Sequence, residues 1–158
     1  MTMTYTAAGT PVGSEPEAKA FDAMQCMADL SRALVIAASP INRIVLSRIA
    51  ERACLKTASM DPGEAAHKLA TPQAGAPQPG MIILDLDTAF QDHDEVLAQI
   101  ETRRRISPAG LPFVVAVVAT LQQVDLQSSA FDATVARPVT PETLQPVIER
   151  LLATAKAA

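Results

Sequence analysis

Tryptophan is absent from this chain, and aromatic residues make up only 3% of it, so any core must be built from Val, Ile, Leu, Ala and Met. Cysteine is nearly missing too. Cys26 and Cys54 stand alone without a CxxC pair, and His67 and His93 are equally isolated. That spacing excludes a recognisable zinc site and argues against a disulfide framework. Positive charge is in short supply: 13 Lys and Arg face 17 Asp and Glu, for a net charge of −4. Nothing electrostatic recommends a nucleic-acid partner. No apolar run approaches the roughly 20 residues that span a bilayer. The opening "MTMTYTAAGTPVGSEPEAKA" has neither the basic nor the apolar stretch of a secretory signal. No membrane is expected, and the compartment these features suggest is the cytoplasm.

What is present is a globular composition. The chain has 158 residues, 49% hydrophobic and 19% charged, enough for one domain with a proper core. Residues 1–16, rich in Thr, Gly and Pro, read as a disordered arm. "EAKAFDAMQCMADLSR" (17–32) gathers good helix formers, with Phe21, Met24, Met27 and Ala28 towards one side. It reads as an appended N-terminal helix that covers the domain, with partner binding as the sharper alternative.

From 33 to 156 short apolar runs alternate with helical patterns, which marks the main domain. The runs at 33–37, 54–59, 81–85, 112–119 and 133–136 read as strands. Ser39-Pro40 and Asp61-Pro62 have the form of helix starts, a capping side chain followed by proline. The first of these helices takes Ile41, Val45, Leu46 and Ile49 as its apolar face. Further helices are expected over 63–70 and 93–105, weakly over 120–131, and finally over 140–157. Arg103-Arg104-Arg105 reads as a cationic helix C-terminus, with a phosphate-binding patch as the other reading. The alternation predicts an α/β fold, a five-stranded parallel sheet doubly wound by helices on both faces. In such a sheet the functional crevice lies beyond the carboxyl ends of the strands. Topology alone therefore singles out Ala37, Ala38 and Ser39, then Asp85, Val118 and Arg137.

Those positions carry a family resemblance. "LVIAASPINRIVLSRIAERACLKTASMDPGEAAHKL" resembles the opening of a response-regulator receiver domain, the flavodoxin-like module of two-component signalling. "MIILDLD" resembles the strand that ends in the family's phospho-accepting aspartate, and the match falls on Asp85. "PFVVAVVAT" resembles the strand that ends in a Ser/Thr, and "VARPVTPETL" the "KPV" signature before the last helix. The resemblance covers about 34–154. It implies a carboxylate that attacks phosphorus, a Mg²⁺ held by an acidic pair and the acceptor, and a hydroxyl and a lysine on the phosphoryl oxygens.

On this chain the acidic pair falls on Ala37 and Ala38, the hydroxyl on Val118, the lysine on Arg137 and the aromatic switch residue on Thr134. Of these parts Asp85 alone is unchanged. With Asp87 adding a carbonyl at most, Mg²⁺ is expected to bind weakly if at all, so no cofactor and no catalytic residue are expected. Asp85 is expected to pair with Arg137, whose fork suits a carboxylate. The resemblance also implies two partner surfaces. Ile41, Asn42, Ile44 and Val45 begin one on the first helix. Leu121, Val124, Thr134, Val139 and Leu144 sample the other, on the fourth helix, fifth strand and last helix.

The reading that follows is a pseudo-receiver, a degenerate receiver that binds a histidine kinase, phosphotransferase or other regulator without phosphate control. Its alternative is an atypical response regulator phosphorylated on Asp85, with Mg²⁺. A flavodoxin-like ligand binder is disfavoured because "AASPINR" lacks a Gly- or Ser/Thr-rich phosphate cradle. No nucleophile–base pair points to an enzyme.

Overall fold

The apolar run before Asp85 becomes the middle strand of the sheet, because a strand buried on both faces must be apolar throughout. The computed structural model describes residues 28–71, 78–86, 93–107, 110–119 and 131–157. In chain order these form β1 (Ala28–Ile36), α1 (Pro40–Arg52), β2 (Lys56–Met60), α2 (Pro62–Ala70) and β3 (Gln78–Asp85). Then come α3 (His93–Ile106), β4 (Phe113–Val118), β5 (Ala133–Ala136) and α4 (Pro141–Ala157). The strands pair in the order β2-β1-β3-β4-β5, all parallel. This is the doubly wound sheet expected.

The strand period of two sorts the core into two layers. Leu34, Ile82, Leu84, Val114 and Ala116 face α2 and α3, where Leu69, Val96 and Ile100 meet them. Val35, Met81, Ile83, Val115 and Val117 face the other way, against Leu46 and Ile49 of α1 and Leu144 and Ile148 of α4. Caps set the helix starts. The Ser39 hydroxyl accepts from the Asn42 amide, and the Asp61 carboxylate accepts from the Glu64 amide at 2.8 Å.

Three expectations need correction. β1 begins at Ala28, so residues 28–32 are strand and not the end of a helix. Residues 1–27 otherwise lie outside the described residues, as do the arm and most of the helix placed there. The cause is tertiary pairing that overrides local helix propensity. Ala28 pairs with Gln78 and Asp29 with Pro79, and after a register shift Ala33 pairs with Met81. Asp29 shapes the irregularity: its carboxylate accepts from the Ser31 amide and hydroxyl and from Arg32. The Ser31 hydrogen bonds hold that carboxyl below its ordinary pKa.

The second correction concerns α1. Its buried residues are Leu46, Ile49 and Ala50, whereas Ile41 is 71% exposed and Val45 40%. The inward stripe runs 42, 46, 49, 53, and a polar residue, Asn42, stands at its head. Matching apolar residues alone therefore rotated the face. The third is the loop before β3, which starts at 78 and not 81. The helix expected over 120–131 lies outside the described residues, apart from Phe131, which is buried.

Gly80 is the residue the register shift depends on. A Cβ there would stand 2.7 Å from the Asp29 carbonyl oxygen and 2.8 Å from the Leu30 Cα. Both are backbone atoms and cannot step aside. Gly80→Ala is therefore expected to lower unfolding stability by about 2 kcal/mol, read from the urea midpoint; an unchanged midpoint would show that β1 can shift freely.

Candidate functional site

Among the described residues, Asp85 is the one polar or charged residue that is fully buried, with 2% of its surface exposed. It ends β3, so its side chain leaves the apolar sheet at the carboxyl end, where the chain turns out through Leu86. A carboxylate so placed needs partners. It has two. Arg137 donates from Nη2 to Oδ1, forming the ion pair expected from the sequence. Asn42 donates from Nδ2 to Oδ2 at 2.8 Å. The Arg137 side chain is 30% exposed, so the cation stands between the carboxylate and water.

Each partner is placed by a different element. Arg137 directly follows β5, and its amide donates to the Val118 carbonyl at 2.9 Å, extending the β4–β5 ladder by one step. Asn42 lies in the first turn of α1, so Asp85 rests near the positive end of that helix. A second guanidinium fills the turn after β1. Arg43 donates from Nη1 to the Ala37 carbonyl at 2.6 Å and to the Ala38 carbonyl at 3.2 Å. The oxygens that this turn offers are thus committed to a cation of the protein itself.

The positions named from the sequence separate into three groups. Ala37, fully buried, and Ala38, exposed, stand at the turn beside this site. Val118 does not belong to it. Register pairs Asp85 with Val117, and Val118 packs in the opposite core layer with Leu84. Val117 is thus the β4 residue beside Asp85 on the same face, and it too lacks a hydroxyl. One position of strand alternation separates the two, and counting along β4 from the facing residue would have found it. Thr134 pairs with Ala116 on that same opposite face. Asp87 lies outside the described residues.

The partner-surface residues divide as well. Ile41, Ile44 and Val45 are exposed, at 71%, 59% and 40%. Asn42 is half-buried, and its side-chain amide donates to Asp85. Leu144 is fully buried between α4 and the sheet, and Val139 packs against the same cluster. Leu121 and Val124 lie outside the described residues.

A Mg²⁺ ion asks for several hard oxygen ligands in octahedral array. Asp85 has both oxygens engaged by nitrogen donors, and Ala37 and Ala38 bring no side-chain oxygen. Among the described residues no three His, Cys, Asp or Glu stand close enough to share a metal ion. The described residues at this site do not fit Mg²⁺.

No family model matches the sequence, and no curated protein matches it either. Solved structures do. A response-regulator receiver domain of the CheY type from Methylobacillus flagellatus superposes with a TM-score of 0.59 at 17% identity, over 78% of this chain and 99% of that one. The receiver domain of a sensor histidine kinase from Pseudomonas aeruginosa, with magnesium in its active-site cleft, gives 0.57 at 17% identity, over 77% and 97%. A putative pilus assembly protein from Burkholderia thailandensis gives 0.56 at 21% identity, over 78% and 98%. Sheet order, the placing of Asp85 and these superpositions agree: the chain has the fold of the response-regulator receiver domains.

Proposed function

We propose that this protein is a pseudo-receiver, acting in two-component or phosphorelay signalling by protein–protein interaction without phosphate control. The observation that carries the reading is the double engagement of Asp85 by Arg137 and Asn42. A nucleophilic carboxylate needs a free oxygen and a metal that gathers the phosphoryl charge beside it. Here one oxygen meets a guanidinium and the other an amide, and methyl groups stand where metal ligands would be. The protein on this reading is a binding module and not an enzyme.

The exposed apolar ridge of Ile41, Ile44 and Val45 supports a partner surface on α1. A histidine kinase, a phosphotransferase or another regulator is the partner class the fold suggests. Neither nucleic acid nor membrane enters the proposal. No helix of the described residues is long and apolar enough to cross a membrane, and a cytoplasmic location fits the proposed partners. The alternative, a response regulator phosphorylated on Asp85, rests on that carboxylate keeping the acceptor's place at the end of β3.

Incubation with acetyl phosphate and Mg²⁺ separates the two. The intact mass is expected to stay unchanged. A gain of one phosphate that disappears in Asp85→Asn would establish the alternative.

The clamp itself makes an energetic prediction. Arg137→Ala leaves a buried carboxylate with Asn42 alone and is expected to cost about 2–3 kcal/mol of unfolding free energy. Asp85→Asn removes the charge, so adding Arg137→Ala to it should cost much less. A double-mutant cycle in urea measures the coupling. Additive effects would mean that the pair contributes nothing.

A further inference from the structure

On the face that carries α2 and α3, a cleft of about 590 Å³ opens between α2 and the edge strand β2. It runs along the amino-terminal half of the sheet, where Arg32 and Leu34 of β1 lie beside Lys56 and Ala58 of β2. Asp85 stands at the other end. The opening has a simple cause. α2 is nine residues long, and it packs through Pro62, Ala65, Ala66 and Leu69. A helix resting on such small side chains leaves the edge strand uncovered among the described residues, with Ala58 exposed on the cleft floor. Leu34 and Leu69 complete that floor.

The rim is cationic in an acidic protein. Arg32, Lys56, Lys68 and Arg103 line it against one carboxylate, Glu64, an excess of three positive charges where the whole chain carries −4. These four cations come from β1, β2, α2 and α3, so they converge on a space and are not the solvated stripe of one helix. Two of them are fixed by the protein. Arg103 donates to the Leu69 carbonyl from Nη2 at 2.9 Å and from Nε at 3.3 Å, and Arg32 is held by Asp29. The side chains of Lys56 and Lys68 have no ion-pair or hydrogen-bonding partner among the described residues. His67 adds a further nitrogen to the lining.

An apolar floor under a cationic rim complements an organic polyanion: a ring on the floor and phosphates at the rim. The volume lies within the range of small-molecule sites and exceeds what a bare phosphate would fill. We infer that this cleft binds a phosphorylated small molecule of nucleotide size, with Lys56 and Lys68 as its phosphate ligands. The lysines act as point charges, and no metal is needed for them to do so. The inference does not depend on the state of Asp85.

The test titrates the full chain with ATP and GTP, and separately with pyrophosphate and adenosine, at one fixed ionic strength. Calorimetry gives affinity and amide NMR gives location. A nucleotide triphosphate is expected to bind saturably, shifting the amides of Thr57, Lys68 and Thr71 while those of Asn42 and Asp85 stay still. Lys56→Gln and Lys68→Gln are each expected to weaken binding about tenfold with an unchanged urea midpoint, the loss of one charge-assisted contact. Absence of saturable binding of either nucleotide at millimolar concentration would overturn the proposal. So would an affinity unchanged from that of the unaltered chain in both variants, or pyrophosphate or adenosine alone binding as tightly as the nucleotide.

Discussion

A buried carboxylate cannot be left alone, and much of this fold's carboxyl end is arranged around that constraint. Asp85 draws Asn42 and Arg137 to itself across separations of 43 and 52 residues. The two partners belong to α1 and to the connection between β5 and α4, so one side chain joins three segments. The free energy gained by such a pair is small, because desolvation offsets most of the attraction. Its effect is on geometry. The turn after β1 is tightened by the same means, with Arg43 on the carbonyls of Ala37 and Ala38. Where one solved receiver domain of this fold holds a magnesium ion in its cleft, this chain places guanidinium groups and an amide.

The two ends of the sheet thus differ in electrostatic character. At the carboxyl end the described cations Arg43 and Arg137 are engaged by groups of the protein. Along the amino-terminal half, Lys56 and Lys68 face a cleft and have no ion-pair partner among the described residues. The run Arg103-Arg104-Arg105 illustrates how the fold divides such charges. Arg103 ties α3 to the end of α2, Arg104 pairs with Asp132 at 3.1 Å, and Arg105 approaches Glu101 of its own helix. A sequence run of one charge becomes three separate contacts.

What could be read from the sequence follows from how local each cause is. The buried runs that became β3 and β4 signal themselves by being apolar on both faces, and Ser39-Pro40 and Asp61-Pro62 cap helices within four residues. The pairing of Asp85 with Arg137 was legible because a charge at the end of a buried strand requires an opposite one. The start of β1 was not legible. "ADLSR" favours helix, and only pairing with Gln78 and Pro79 and the close approach at Gly80 make it strand. The role of Asn42 was hidden for a related reason: a polar residue on the inward stripe of α1 looks like a surface residue until its partner is known. Val117 and Val118 differ by one step of alternation, which the residue types do not distinguish and the register with Asp85 does. Leu144 was misassigned because an apolar residue on the last helix serves core and surface equally well by type.

The edge strand β2 carries a consequence beyond ligand chemistry. An open sheet edge is a template on which another chain can add a strand. β2 has only five residues, it begins with a charged Lys56, and it exposes Ala58 and Ser59 in place of large apolar groups. Short length and a desolvation penalty at the first residue make that edge a poor seed for polymerisation. By this argument Lys56, which lines the cleft, also disfavours strand addition at the β2 edge of the described sheet.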